Sequence, residues 1–242
     1  MKVKITLSYD GSQFHGYQSQ NDGTKTVANA LADALKALGI QTKIHASGRT
    51  DTGVHASGQV IDIDLLPKHW NDVAKLKNYL NRLCAPSIMI KTIEAVSEDF
   101  HARFSAKNRV YRYMIKTGEA SVFGAPYVCY HDSLDEKKIQ EAMVLFEGEH
   151  DFAYFCKSGS DPKSTVREIV KCRFYKHKGL YVFSVEANGY LRSQIRMMVD
   201  FLLKISDGEL GKEDLKEQLA LKKIHNRNLA KANGLYLAKI KY

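Results

Sequence analysis

Alternation opens the chain. In MKVKITLSYD, Val3, Ile5, Leu7 and Tyr9 alternate with Lys2, Lys4, Thr6 and Ser8, which predicts a half-buried strand over 2–9. The period then changes. Val27, Ala30, Leu31, Ala34, Leu35 and Leu38 recur at helical spacing behind Thr26, a capping residue, and ahead of Gly39, so 26–38 reads as a helix. Extended segments are expected at 41–46 and 59–65, the second alternating Ile61, Ile63 and Leu65 with Asp62 and Asp64. Residues 68–83 return to helix on Trp70, Val73, Leu76, Leu80 and Leu83, and 88–96 closes the half as a strand.

The second half repeats that order. A strand over 109–117 is followed by a helix over 135–147 carrying Ile139, Ala142, Met143 and Phe146. Strands at 165–175 and 180–187 flank a Lys178-Gly179 turn, helices follow at 190–206 and 213–221, and 235–242 closes as a strand. Both halves read strand–helix–strand–strand–helix–strand, the split βαβ order. The expected fold is therefore α+β: two ferredoxin-like (βαββαβ) halves, 1–105 and 106–242. They are expected to share a mixed, mostly antiparallel sheet, with helices on one side, a central cleft and no separate linker domain.

Composition narrows the class. Of 242 residues 44% are hydrophobic and 26% charged, an ordinary globular mixture. No apolar run reaches the ~18 residues of a spanning helix, and the alternating N-terminus lacks the apolar core of a signal peptide. A cytoplasmic protein is expected. The net charge is +9 and unevenly spread: residues 1–105 hold 12 basic and 10 acidic side chains, residues 106–242 hold 24 and 17. A basic surface of this kind attracts polyanions. Cys84, Cys129, Cys156 and Cys172 are 45, 27 and 16 residues apart, with no CxxC and no paired His, so zinc is not expected and the thiols read as buried and free.

The segment with the least structural purpose is 46–60, ASGRTDTGVHASGQV, which packs Gly48, Gly53 and Gly58 around Arg49, Asp51 and His55. Glycines in a connection allow positive φ and close backbone approach. An Arg two residues before an Asp can hold that carboxylate ionised and aimed, and a held carboxylate is what nucleophilic attack on a sugar or ring carbon needs. A plain turn cap with its partner is the competing account, and a lone His such as His55 is more often structural. In 101–113, HARFSAKNRVYRY, the cations Arg103, Lys107, Arg109 and Arg112 interleave with Phe104, Tyr111 and Tyr113. Cations pair with phosphates and aromatic faces stack on unstacked bases. Tyr111 and Tyr113 share one strand face, and the division expected is one in the core and one lining a cleft. A core Tyr113 should accept Phe silently. In 190–206, Arg192, Arg196 and Asp200 fall at i, i+4 and i+8 on the expected helix. The dipeptides His131-Asp132 and His150-Asp151 suggest a metal phosphohydrolase only weakly, because they lack the helical ligand spacing.

SGRTDTGVHASGQV closely resembles the signature of the tRNA pseudouridine synthase A family. SYDGSQFHGYQSQ, FHARFSAKNRVYRY, FEGEHDFAYFCKSG, TVREI, YLRSQIRMMV and GLYLAKIKY resemble further blocks of that family, in order, over essentially the whole chain. The resemblance implies an isomerase without metal or other cofactor. It implies a homodimer that holds tRNA across both subunits and converts uridines 38, 39 and 40 of the anticodon stem-loop to pseudouridine. Residue by residue it implies Asp51 as nucleophile, Arg49 beside it, Tyr111 stacking on the target base, Arg196 facing the pocket and Leu235 lining it. Arg103, Lys107, Arg109 and Arg192 are the further candidates for RNA contact. Two departures stand out: Asp200 where Gly is usual, and AKAN before GLYL where Pro is frequent.

Overall fold

The period-two alternation at the start of the chain does form a strand, β1 (Lys2–Tyr9), with Val3, Ile5, Leu7 and Tyr9 buried. The structure, a computed structural model, describes residues 1–20, 23–64, 70–159 and 162–242. After β1 come α1 (Val27–Ala37), β2 (Ile44–Ala46), β3 (His55–Ile63), α2 (Val73–Cys84) and β4 (Ile88–Val96). Then follow β5 (Asn108–Thr117), β6 (Cys129–His131), α3 (Glu136–Met143), β7 (Gly148–Asp151), β8 (Val166–His177) and β9 (Leu180–Ala187). α4 (Gln194–Ser206), α5 (Lys212–Leu219) and β10 (Leu235–Lys241) complete the chain. The expected strand 59–65 and helix 68–83 fall partly on 65–69, outside the described residues.

The elements form two compact units, one of Met1–Lys107 with Tyr236–Tyr242 and one of Asn108–Leu235. Unit 1 has the expected α+β order. β1 lies between β4 and β3, antiparallel to both, with Ile5 opposite Ile93 and Ile61. β2 runs antiparallel to the end of β3, and β10 runs parallel to its start, with Tyr236 opposite His55. The closing strand thus returns to the first unit rather than staying with the half that precedes it. Local helix signals hold: Thr26 Oγ1 accepts Asn29 N–H at 3.2 Å to cap α1, and Asp72 Oδ1 accepts Lys75 N–H at 3.0 Å to cap α2. The buried faces are Val27, Leu31, Ala34 and Leu35 in α1, and Leu76, Leu80 and Cys84 in α2.

In unit 2 the order β5-β9-β8-β7 is antiparallel throughout, and β6 pairs in parallel with β5. The short strands β6 and β7 are additions to the expected order. The helix expected over 190–206 begins only at Gln194. Ser193 is left-handed at φ 60°, and the Gln194 side chain accepts Leu191 N–H at 2.8 Å, which stops the helix one turn short. Arg192 is therefore not on α4, and the stripe at i, i+4, i+8 is Arg196, Asp200 and Lys204. These are the three half-buried positions of a helix otherwise buried all round. Among the described residues no helix is long and apolar enough to cross a membrane.

Candidate active site

Asp51 stands half-exposed in the connection between β2 and β3, and the segments around it are clamped. Before it, Ser47 Oγ donates to Gln59 Oε1 at 2.7 Å, and Gln59 Nε2 donates to the Gly48 carbonyl at 3.0 Å. Thr50 is tied on both sides: its Oγ1 meets Tyr9 Oη at 2.8 Å, and its carbonyl accepts Tyr17 N–H at 3.0 Å. After it, Val54 N–H returns to the Asp51 carbonyl at 3.1 Å, closing a turn with Gly53 at φ 77°. His55, 1% exposed, accepts Gly11 N–H on Nδ1 at 2.9 Å and stacks on Tyr236 at 4.6 Å. His55 is a packing and hydrogen-bonding residue, as a lone His usually is. Gly11 lies so close that a Cβ there would stand 2.1 Å from the Val54 carbonyl oxygen.

This arrangement corrects one expectation about the loop. The Arg49 guanidinium is exposed and, among the described residues, makes no ion pair or hydrogen bond, so it does not hold the Asp51 carboxylate. An exposed guanidinium in water gains too little from one carboxylate to fix the side chain. Tyr9 and Tyr17 tie the connection at Thr50, and Gly11 ties it at His55. The sequence marks Tyr9 only as a strand position and assigns Gly11 and Tyr17 no contact, although the glycine and aromatic spacing of YDGSQFHGY is their signal. Of the three loop glycines, Gly58 meets β10 rather than a ligand: a Cβ there would stand 2.2 Å from the Ala238 carbonyl oxygen.

The remaining candidates belong to unit 2, apart from Arg103 and Lys107. Tyr111 is 9% exposed and packs edge-on against Tyr190, with ring centroids 5.2 Å apart. Tyr190 is fixed in turn, its hydroxyl donating to the Val185 carbonyl at 2.9 Å. Tyr113, two residues along, is 1% exposed and donates its hydroxyl to the Lys231 carbonyl at 2.8 Å. Both rings are thus buried, and burial raises the phenol pKa of Tyr113 and Tyr190 well above the ordinary value. Arg196 donates Nε to the Ala230 carbonyl at 2.7 Å and accepts Ala230 N–H on its own carbonyl at 3.1 Å. Asp200 Oδ2 accepts Asn226 Nδ2 at 2.8 Å. Arg196, Asp200 and Tyr113 therefore meet one segment, 226–231, which leads into the buried Leu235. Where Pro would stiffen that path covalently, side chains from α4 and β5 do so here.

The further cations are dispersed. Arg109 Nη1 donates to the Asn188 carbonyl at 2.8 Å and Arg192 Nη1 to the Gly159 carbonyl at 3.5 Å. Arg103 and Lys107 are exposed. The His-Asp dipeptides take part in separate hydrogen bonds: His131 Nε2 meets Asp207 Oδ1 at 2.8 Å, and Asp151 Oδ1 accepts Ala153 N–H at 2.9 Å. Among the described residues, the side chains close enough to share a cation are His45, Asp62 and Asp64. There the Lys2 ammonium already lies 3.2 Å from Asp64 and 3.7 Å from Asp62.

A family model described as tRNA pseudouridine synthase matches residues 5–105 and 142–242, which takes in the clamped loop, α4 and β10. The chain belongs to the tRNA pseudouridine synthase family. It is an isomerase of that family, and tRNA pseudouridylation is its class of reaction. Relatives within the family align over nearly their whole length. The tRNA pseudouridine synthase A of Campylobacter jejuni (strain 81-176) is 43% identical over 242 residues, all of both chains. That of Wolinella succinogenes is 43% identical over 98% of this chain and 92% of its own. The Helicobacter hepaticus synthase is 38% identical over 99% and 98%.

Proposed function

We propose that this chain isomerises uridines 38, 39 and 40 of the tRNA anticodon stem-loop to pseudouridine, with Asp51 as the nucleophile. The observation that carries the reading is the loop itself: a half-exposed carboxylate on a connection clamped on both flanks, within the family's signature sequence. The reaction breaks the N1–C1′ bond, turns the uracil and joins C5 to C1′. One proton leaves C5 and one is taken up at N1, so atoms and electrons balance without an oxidant, a reductant or a hydrolytic water. A carboxylate serves this sequence by attack at C1′, by addition to C6, or by assisting elimination to a glycal.

The other residues take the roles that the resemblance implies. Tyr111 supplies the ring against which the target base stacks, Arg196 faces that base, and Leu235 lines its pocket. Arg49, whose guanidinium is uncommitted among the described residues, is suited to an RNA phosphate. Arg103, Lys107, Arg109 and Arg192 contact RNA more generally, and their attraction offsets the few kcal/mol, roughly, of extruding a base. The enzyme acts as a homodimer in the cytoplasm, where its substrate is found.

Asp51→Asn tests the reading. The amide is nearly isosteric but is neither nucleophile nor base, so pseudouridine formation in an unmodified tRNA transcript should vanish while tRNA affinity stays. A variant retaining a tenth of the turnover would overturn the assignment. An RNA-binding protein without catalysis would show no turnover even before substitution.

A further inference from the structure

Phe104 is the exposed end of a ladder of rings. It is 76% exposed, at the tip of a tight turn over 101–105. Exposed apolar side chains scattered singly are ordinary; this one is backed by a second ring. His101 N–H donates to Ser105 Oγ at 3.0 Å, and Ser105 N–H donates to the His101 carbonyl at 2.9 Å. Arg103 N–H donates to His101 Nδ1 at 3.1 Å, which fixes the imidazole. That imidazole stacks on His45 at 4.7 Å and 27°, and Phe104 packs against it at 4.4 Å. His45 is anchored in turn, Nδ1 meeting Asp62 Oδ2 at 3.0 Å, while Asp62 Oδ1, fully buried, accepts Ala102 N–H at 2.6 Å. The Arg103 guanidinium lies 5.6 Å from the Phe104 ring centroid.

We infer that this turn is a preformed stacking platform for an unpaired nucleobase of the tRNA, outside the uridine-converting site. The inference rests on the proposed function for the identity of the RNA. Three features point to a base. A ring already packed against a fixed neighbour has less conformational entropy to lose when a base stacks on it. A guanidinium at its edge and the Lys107 ammonium three residues on supply charge for the flanking phosphates. Stacking accepts any base, because every base has a π face, so the platform suits an enzyme whose substrates vary in sequence. A second protein copy is the other candidate occupant, and the cationic rim disfavours it through like-charge repulsion.

The test uses the full chain and an unmodified tRNA transcript. Phe104→Ala should weaken tRNA binding by about 5- to 150-fold, the range that stacking on one base supplies. Phe104→Trp should restore the affinity, and the indole introduced by F104W should lose emission when tRNA is added, against the constant background of the buried Trp70. Melting temperature, oligomeric state by light scattering and single-turnover rate at saturating tRNA should be unchanged in both variants. Wild-type affinity in Phe104→Ala overturns the platform, as does a loss of affinity that follows dissociation of an oligomer. Pseudouridine formation by the unsubstituted chain is scored in parallel. Its absence overturns the proposed function, whereas the platform is judged on the binding ratio alone.

Discussion

Replacing Tyr113 by Phe removes one oxygen atom from the interior of unit 2, together with the hydrogen bond that fastens Lys231 to β5. The ring itself should stay where it is, since it is 1% exposed and lies close enough to Gly234 that a Cβ there would meet it at 2.9 Å. The loss is therefore the hydrogen bond at 2.8 Å, with the weaker contact of the same hydroxyl to the Cys129 thiol. A net intramolecular hydrogen bond contributes about 0.5–1.5 kcal/mol. Lys231 is an exposed residue, so water can reach its freed carbonyl and the loss falls near the lower half of that range. At about 2–4 °C per kcal/mol for a chain of this size, the midpoint should fall by roughly 1–4 °C. The effect should be local in one further respect. Lys231 precedes Leu235 by a single turn, so amide exchange should accelerate at 231–235 while β9 and α4 keep their protection. The assay is thermal melting paired with hydrogen exchange read by mass spectrometry. An unchanged midpoint together with unchanged exchange over 231–235 would refute the reasoning and restore the simpler expectation that a core Tyr accepts Phe silently.

Gly11→Ala places a methyl group 2.1 Å from the Val54 carbonyl oxygen, so the clamp on the Asp51 connection must shift. Turnover should fall by at least tenfold with tRNA affinity nearly unchanged, and wild-type turnover would show that the clamp does not position Asp51. Burial pushes the Cys172 thiol up to about 12 and the Cys84 thiol up to about 11, from an ordinary thiol value of 9.0. Both should resist iodoacetamide at pH 8 in the folded protein and react on unfolding, as mass spectrometry would record. The sign for stability follows from the raised value: the Cys172 contribution is complete below pH 9.0 and is lost as pH rises toward about 12, because only the unfolded thiol ionises in that window. A melting temperature independent of pH between those limits in wild type and in Cys172→Ser alike would count against it.

Local signals carried much of this molecule. Val3, Ile5, Leu7 and Tyr9 show a strand because a pleated backbone turns alternate side chains to one face. Thr26 and Asp72 mark helix starts because their oxygens reach amides three residues ahead. Asp51 stood out because a carboxylate among closely spaced glycines, within a recognisable signature, is visible inside fifteen residues. Information of that range needs no tertiary structure. The tertiary structure decided what depends on distant partners. Tyr113 finds its acceptor 118 residues away, and Gly11 reaches His55 across 44. β10 returns to lie parallel to β3, which its own alternation could not specify because a strand pattern names a face and not a neighbour. Arg49 illustrates the opposite failure. Nearness in sequence suggested an ion pair with Asp51, but an exposed pair gains too little from water-screened attraction to enforce one. The start of α4 was hidden for a similar reason: the apolar period runs on through Leu191, and only the left-handed Ser193 interrupts the backbone. Periodicity records which side chains want burial, and the chain's long-range contacts choose which backbone delivers them there.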